Sequence, residues 1–170
     1  VVAIALCPPI LDYDPPRIAV YYHGLRDRTW ENLAQENREL TPIYERQGFY
    51  GQVSVLEAGG GLFLKHNGKT DATTFPGDNF AQYMMTHLPM ALHPAPRRVV
   101  NIGLGGGITL DAVTRYPSVE EIVQVEIDPL VAEAARLHFA DFNHRALDDP
   151  RVRMVFDDGR NFIERSPFVL

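Results

Sequence analysis

Cysteine is nearly absent from this chain. Cys7 is the only one in 170 residues, so no internal disulfide framework can form, and a reducing compartment suits the sequence. Runs of lysine and arginine are also missing. With a formal net charge of −6, their absence argues against a nucleic-acid surface, and the acidic balance suits a cationic substrate. The six histidines (His23, His66, His87, His93, His138, His144) never fall at the close paired spacing of a zinc site, so no metal is assigned. No apolar run is long enough to span a bilayer. The opening VVAIALC lacks the basic flank of a signal peptide and fits either the tail of a membrane helix or a plain leading strand.

What is present describes a globular chain, 45% hydrophobic and 22% charged. Its length is short for a complete α/β nucleoside-binding enzyme with a second domain, so a fragment of a longer chain is expected. Residues 1–42 carry Pro8, Pro9, Pro15 and Pro16 and the polar, helix-compatible ENLAQENREL, and they read as a leader or linker. From Ile43 the period becomes two. YGQVSVLE alternates, Gly59 to Gly61 turn the chain, LFLKH returns it, and Asn67-Gly68 is a strong hairpin pair. A small antiparallel unit over about residues 43–72 follows from this. Asp78 is then expected to cap a helix over FAQYMMTHL that Pro89 ends, with Met84, Met85 and Leu88 in the core and His87 a satisfied polar group. That helix completes an N-terminal region over 43–92, and the prolines of HPAPRR mark a boundary near 93.

The remaining 93–170 are dominated by RRVVNIGLGGGITLDAV, an apolar strand, a glycine turn and a helix start. A dinucleotide fingerprint would need glycine at position 108, where Ile108 stands. The spacing is Gly103, Gly105, Gly107, the form usual where a nucleoside without a pyrophosphate is bound. Glycine there tolerates positive φ and lets a ligand approach the backbone, although an ordinary glycine-rich turn has the same composition. After a helix running to Tyr116, EIVQVEID has the apolar profile of a buried parallel strand. Glu126 at its end lies 19 residues after Gly107, near the ~20-residue separation at which a carboxylate accepts from a ribose diol. Asp128-Pro129 reads as a helix cap with a first-turn proline. A third strand over 152–156 ends in Asp157-Asp158-Gly159, where Asp158 suits either an adenine amino group or a surface turn. The fold class is therefore α/β, a Rossmann-like parallel βαβαβ sheet preceded by a small antiparallel β domain, with a fourth strand starting near 168–170.

In order, YGQVSVLE, NGKTD, AQYMMTHLPMALHPAPRRVVNIGLGGG, SVEEIVQVEID and DDPRVRMVFDDGRNF resemble the spermidine synthase (polyamine aminopropyltransferase, PABS domain) family over about residues 43–165. The bacterial branch in which this domain follows a membrane-embedded part is the most similar. The resemblance implies a transferase of polyamine biosynthesis that moves the aminopropyl group of decarboxylated S-adenosylmethionine to an amine such as putrescine. It implies that Gly103, Gly105 and Gly107 line the nucleoside, that Glu126 holds the ribose, that Asp158 meets adenine and that Gln82 contacts the ligand. It allows a homodimer and places the protein in the cytoplasm, at the cytoplasmic face of the membrane if a membrane part precedes it.

The sequence also departs from that family. Gly106 replaces an aspartate of the glycine loop, Gly51 a glutamine of the β domain and Ala81 a tyrosine. The D-G-x-x-Q element reads Asn67-Gly68-Lys69-Thr70-Asp71, which leaves Asp71 as the amine-side candidate. The family's catalytic aspartate is expected beyond Leu170, so no catalytic residue is assigned and the fragment alone is expected to be inactive. Two other classes stay open. One is a methyltransferase-type enzyme using S-adenosylmethionine itself, since glycine at 106 would tolerate a donor carboxylate. The other is a nucleoside-binding module without turnover, serving a membrane partner.

Overall fold

The computed structural model describes residues 40–166. The stretch VVAIALC, the expected leader up to position 39, nearly all of ENLAQENREL and the expected start of a fourth strand lie outside the described residues.

An antiparallel meander of four strands comes first: β1 (Thr41–Gln47), β2 (Gln52–Ala58), β3 (Gly61–His66) and β4 (Lys69–Thr73), paired in that order. Two tight turns fix its register. Gly59-Gly60 join β2 to β3 and Asn67-Gly68 join β3 to β4, and all four residues have positive φ. That is the demand of a two-residue hairpin turn, and it is why glycine and asparagine stand there. Register places Val55 opposite Tyr44 on one side and Leu64 on the other. These three residues and Val53 are buried in the core.

Helix α1 (Pro76–Leu92) differs from expectation at both ends. Phe75 occupies the cap position and Pro76 the first turn, where a fixed φ and a missing N–H cost nothing. Asp78 therefore sits inside the first turn, and its side chain turns back toward β4. Pro89 lies within the helix, which continues for almost a turn and ends with the His93 amide donating to the Pro89 carbonyl. Met84, Met85 and Leu88, expected in the core, are 41%, 64% and 57% exposed. The buried row is Gln82, Thr86 and Met90, at i, i+4, i+8. The Thr86 hydroxyl donates to the Thr109 carbonyl, so α1 turns a largely polar stripe to its neighbour. His87 is half-buried with Nδ1 2.7 Å from the Tyr116 hydroxyl.

A parallel sheet follows in the order β5-β6-β7: β5 (Arg98–Ile102), β6 (Glu121–Glu126) and β7 (Val152–Phe156). Its crossovers are α2 (Ile108–Thr114) and α3 (Pro129–His138), and α4 (Gly159–Arg165) follows β7. β6 is central and buried from Ile122 onward, as its apolar profile requires. α3 begins as expected, with the Asp128 carboxylate accepting from the Leu130 amide and Pro129 in the first turn. One hydrophobic cluster joins the two sheets: Val53, Val55, Leu64 and Ala72 of the meander pack with Leu104, Val131, Ala135 and Phe139. The meander is thereby held beside the carboxyl ends of β5 and β6.

Arg151 locks the far end. Its guanidinium donates to the carbonyls of Thr114, Tyr116 and Val119 and to both oxygens of Asp149. The end of α2, the approach to β6 and the start of β7 are tied by one side chain.

Candidate nucleoside site at the carboxyl ends of the parallel strands

A cavity of about 390 Å³ opens between the meander, α1 and the ends of β5 and β6. Open α/β sheets place their ligands there. Gln82, Gly103, Gly105, Glu126 and Asp71 line it together, although they lie as far apart in sequence as positions 71 and 126.

The glycine loop takes the shape its composition suggests. Gly103, Gly105 and Gly107 have φ of 82°, 52° and 83°, a region L side chains rarely adopt. The Gly103 amide donates to the Val125 carbonyl and ties the loop to β6. A Cβ on Gly105 would lie 3.4 Å from the Ala72 Cβ, so the loop runs against β4.

Glu126 is 7% exposed and is held by three backbone donors. Its Oε1 accepts from Ile127 and Asp128 at 2.8 and 3.0 Å, and its Oε2 accepts from Leu104 at 2.8 Å. These bonds offset the cost of burying a charge and fasten the loop to the end of β6. A carboxylate has about four acceptor positions, so Oε2 keeps one for a ligand hydroxyl.

Gln82 enters from α1. Its Nε2 donates to Asp78 Oδ2 at 2.9 Å, and the same oxygen accepts from the Thr73 amide at 2.7 Å and the Thr73 hydroxyl at 3.1 Å. Asp71, on β4, pairs with Lys69 at 2.8 Å.

Two expected residues lie elsewhere. Gly107 caps α2, with its would-be Cβ 2.9 Å from Asn143 Nδ2, and does not line the cavity. Asp158 also stands off the cavity and is not in a simple surface turn: its Oδ1 accepts from the amides of Arg160 and Asn161 and caps α4. Both positions end an element, and the same residue types serve caps and ligands.

Sequence reasoning missed other wall residues, among them His66, Met85, Thr109 and Val131. His66 Nε2 is 3.2 Å from the Tyr50 carbonyl and 3.6 Å from Asp128 Oδ2, a buried oxygen without a hydrogen bond. No spacing rule marks such residues, because four different elements supply them: β3 gives His66, α1 Met85, α2 Thr109 and α3 Val131. Among the described residues, no group of three or more His, Cys, Asp or Glu is placed to hold a metal ion, and no helix is long and apolar enough to cross a membrane.

With this geometry in place, comparison with known proteins is informative. Residues 79–167 match the spermine/spermidine synthase domain. The chain belongs to the spermine/spermidine synthase family. It is 35% identical over 123 residues to a polyamine aminopropyltransferase of Aeropyrum pernix, covering 71% of this chain and 38% of that protein. It is 34% identical over 151 residues to one from Alkalilimnicola ehrlichii, covering 84% of this chain and 52% of that protein. The fold is similar to a spermidine synthase solved with the transition-state analogue AdoDATO, with TM-score 0.68, 33% identity and coverage of 72% of this chain and 42% of the other. It is also similar to the spermidine synthase of Thermotoga maritima, with TM-score 0.66 and 34% identity. The chain thus spans about half, or less, of the length of these relatives.

Gly106 and Gly51, where the sequence departs from what the resemblance implies, are both closely packed. At Gly106 a Cβ would lie 2.9 Å from the Phe139 ring, and the Gly106 carbonyl accepts from Asn143 Nδ2 at 2.9 Å. As packed here, that position has no room for an aspartate. At Gly51, φ is 132° and a Cβ would lie 2.2 Å from the Asn67 side chain, whose Oδ1 accepts from the Gln52 amide. The glycine and the asparagine are matched.

Proposed function

We propose that the cavity binds decarboxylated S-adenosylmethionine, and that the enzyme containing these residues moves its aminopropyl group to a small amine such as putrescine. The observation that carries this is the convergence of Gln82, Gly103, Gly105 and Glu126 on one cavity at the ends of β5 and β6. Glu126 Oε2 would accept from the ribose, the positive-φ loop would admit the nucleoside, and Gln82 would contact the ligand from α1. Asp71, which also lines the cavity, would serve the amine side as a carboxylate for an ammonium group. Asp158 lies off the cavity with its Oδ1 taken up in capping α4, so it would meet an adenine amino group through Oδ2 only where the nucleoside extends past the cavity toward the end of β7.

The chemistry is an in-line displacement. A neutral amine forms the C–N bond, the C–S bond breaks, and the pair of electrons leaves with sulfur as a thioether. Positioning supplies much of the acceleration, and a carboxylate must take the amine's proton. None of the described residues is assigned that role. The proposal extends to a cytoplasmic location, a homodimer and a membrane part in the longer chain, which fractionation and sedimentation of the full chain test.

Calorimetric titration of the full chain with methylthioadenosine and with decarboxylated and carboxylated S-adenosylmethionine tests the site. Binding of methylthioadenosine and at least a tenfold preference for the decarboxylated donor are expected; no binding of either would overturn the proposal. Gly106 favours one competing assignment. With no carboxylate at that point of the loop, a donor that keeps its own carboxylate is not repelled there, so equal or reversed preference would identify a methyltransferase-type enzyme. Binding without turnover on any amine would identify a nucleoside-binding module.

A further inference from the structure

The amide of Gln82, on the cavity wall, is held at its nitrogen by Asp78. The two ends of a glutamine amide are nearly indistinguishable by shape, so orientation has to come from hydrogen-bond partners. Here the partner settles it: an ionised carboxylate only accepts, so the end facing Asp78 Oδ2 at 2.9 Å must be the nitrogen. Asp78 is itself fixed, because the same oxygen accepts from the Thr73 amide and hydroxyl at the end of β4. Gln82 is 9% exposed, so it has little freedom to turn away. Its Oε1 takes no hydrogen bond among the described residues and is not a sealed orphan, and Gln82 lines the cavity, so the oxygen is the end of the amide left for a ligand.

We infer that Asp78 is a positioning residue that holds the Gln82 amide with its oxygen toward the ligand, and so makes this wall select a cationic N–H donor. Asp71 lines the same cavity and supplies a carboxylate to its wall. A primary ammonium, which has three donors and no acceptor, satisfies acceptors of this kind. Reversed, the Gln82 amide would oppose that group with N–H. The inference rests on the proposal that the cavity binds an adenosyl sulfonium donor. It adds the residue by which the aminopropyl ammonium is told from a neutral end.

The test uses the full chain and two ligands, decarboxylated S-adenosylmethionine, which carries the ammonium, and methylthioadenosine, which lacks it. Asp78→Ala frees the Gln82 amide. It should weaken the amine-bearing ligand about tenfold or more, the worth of one charge-assisted hydrogen bond, while methylthioadenosine changes less than about twofold. Asp78→Asn can keep an acceptor oxygen at the same point and should restore the preference, which a merely structural role of the charge would not. Equal losses for both ligands in Asp78→Ala, or no loss in either, overturn the inference. Should Asp78→Ala fail to fold, Gln82→Met leaves Asp78 and the helix start in place. It must show the same selective loss, and unchanged affinity for the amine-bearing ligand would refute the role of the oxygen. If the unmodified chain binds neither ligand, the assignment of the cavity itself has failed, a result distinct from all of these.

Discussion

Glu126→Gln is the change that asks most of the structure. The carboxylate accepts three backbone N–H groups, two at Oε1 and one at Oε2. An amide can turn its oxygen to only one side. If that side is Ile127 and Asp128, the new NH₂ meets the Leu104 N–H in a buried space, donor against donor. Hydrogen bonds to charged groups contribute roughly 1.5–3 kcal/mol and neutral ones about 1 kcal/mol. Losing the Leu104 contact and weakening the other two should therefore cost about 2–3 kcal/mol, after allowing for the easier burial of a neutral group. Urea unfolding of the full chain without ligand measures this as a shift in midpoint at constant slope. Because Leu104 belongs to the glycine loop, calorimetry should also show methylthioadenosine binding at least about tenfold weaker, equivalent to roughly 1.4 kcal/mol. A stability loss below about 1 kcal/mol with unchanged nucleoside affinity would refute the reasoning. A stability loss alone would leave Glu126 a loop anchor and remove its ribose contact.

Arg151→Ala should be more damaging still, at about 3–4 kcal/mol in the same unfolding assay, since it strands three carbonyls and the Asp149 carboxylate. Arg151→Lys should fall between, because one ammonium cannot reproduce the fork. The hydrogen bonds from Arg151 hold the Asp149 carboxyl below its ordinary value of 3.8. A depressed carboxyl gives stability that is complete above the unfolded value and lost as pH falls through the lower folded one, so unfolding free energy should drop below about pH 4 and Asp149→Asn should flatten that drop. Gly106→Ala should cost about 1–3 kcal/mol through collision with the Phe139 ring. Phe139→Leu should recover part of that loss, and unimpaired stability in the single variant, measured by thermal melting, would show that the ring is not confining.

What was legible in the sequence is what local backbone geometry dictates. Glycine or asparagine at Gly59, Gly60, Asn67, Gly68, Gly103 and Gly105 answers a demand for positive φ, and each turn lies where composition puts it. The apolar run of β6 and the Asp128-Pro129 cap are equally local. Helix α1 was misread because its burial is set by what packs on it. Counting apolar side chains selects Met84, Met85 and Leu88, whereas the contact with α2 is made through Thr86 and its neighbours in the buried row. Asp78 shows the same limit: an acidic residue near a helix start reads as a cap, and only the return of β4 shows that its partners are Thr73 and Gln82.

The departures from the family illustrate the point most sharply. Read one at a time against the resemblance, which implies aspartate at 106 and glutamine at 51, the two glycines look like losses. In the folded chain each is half of a packed pair, Gly106 with Phe139 and Asn143, and Gly51 with Asn67. A side chain placed at either glycine alone would meet an occupied space, the Phe139 ring at position 106 and the Asn67 side chain at position 51. The acceptors that remain, on Asp71, Gln82 and Glu126, lie on three different elements. The wall of this cavity is therefore set by how α1 and β4 meet the parallel sheet, and Asp78, bonded to Thr73 at the end of β4 and to Gln82 on α1, is the residue that joins those two.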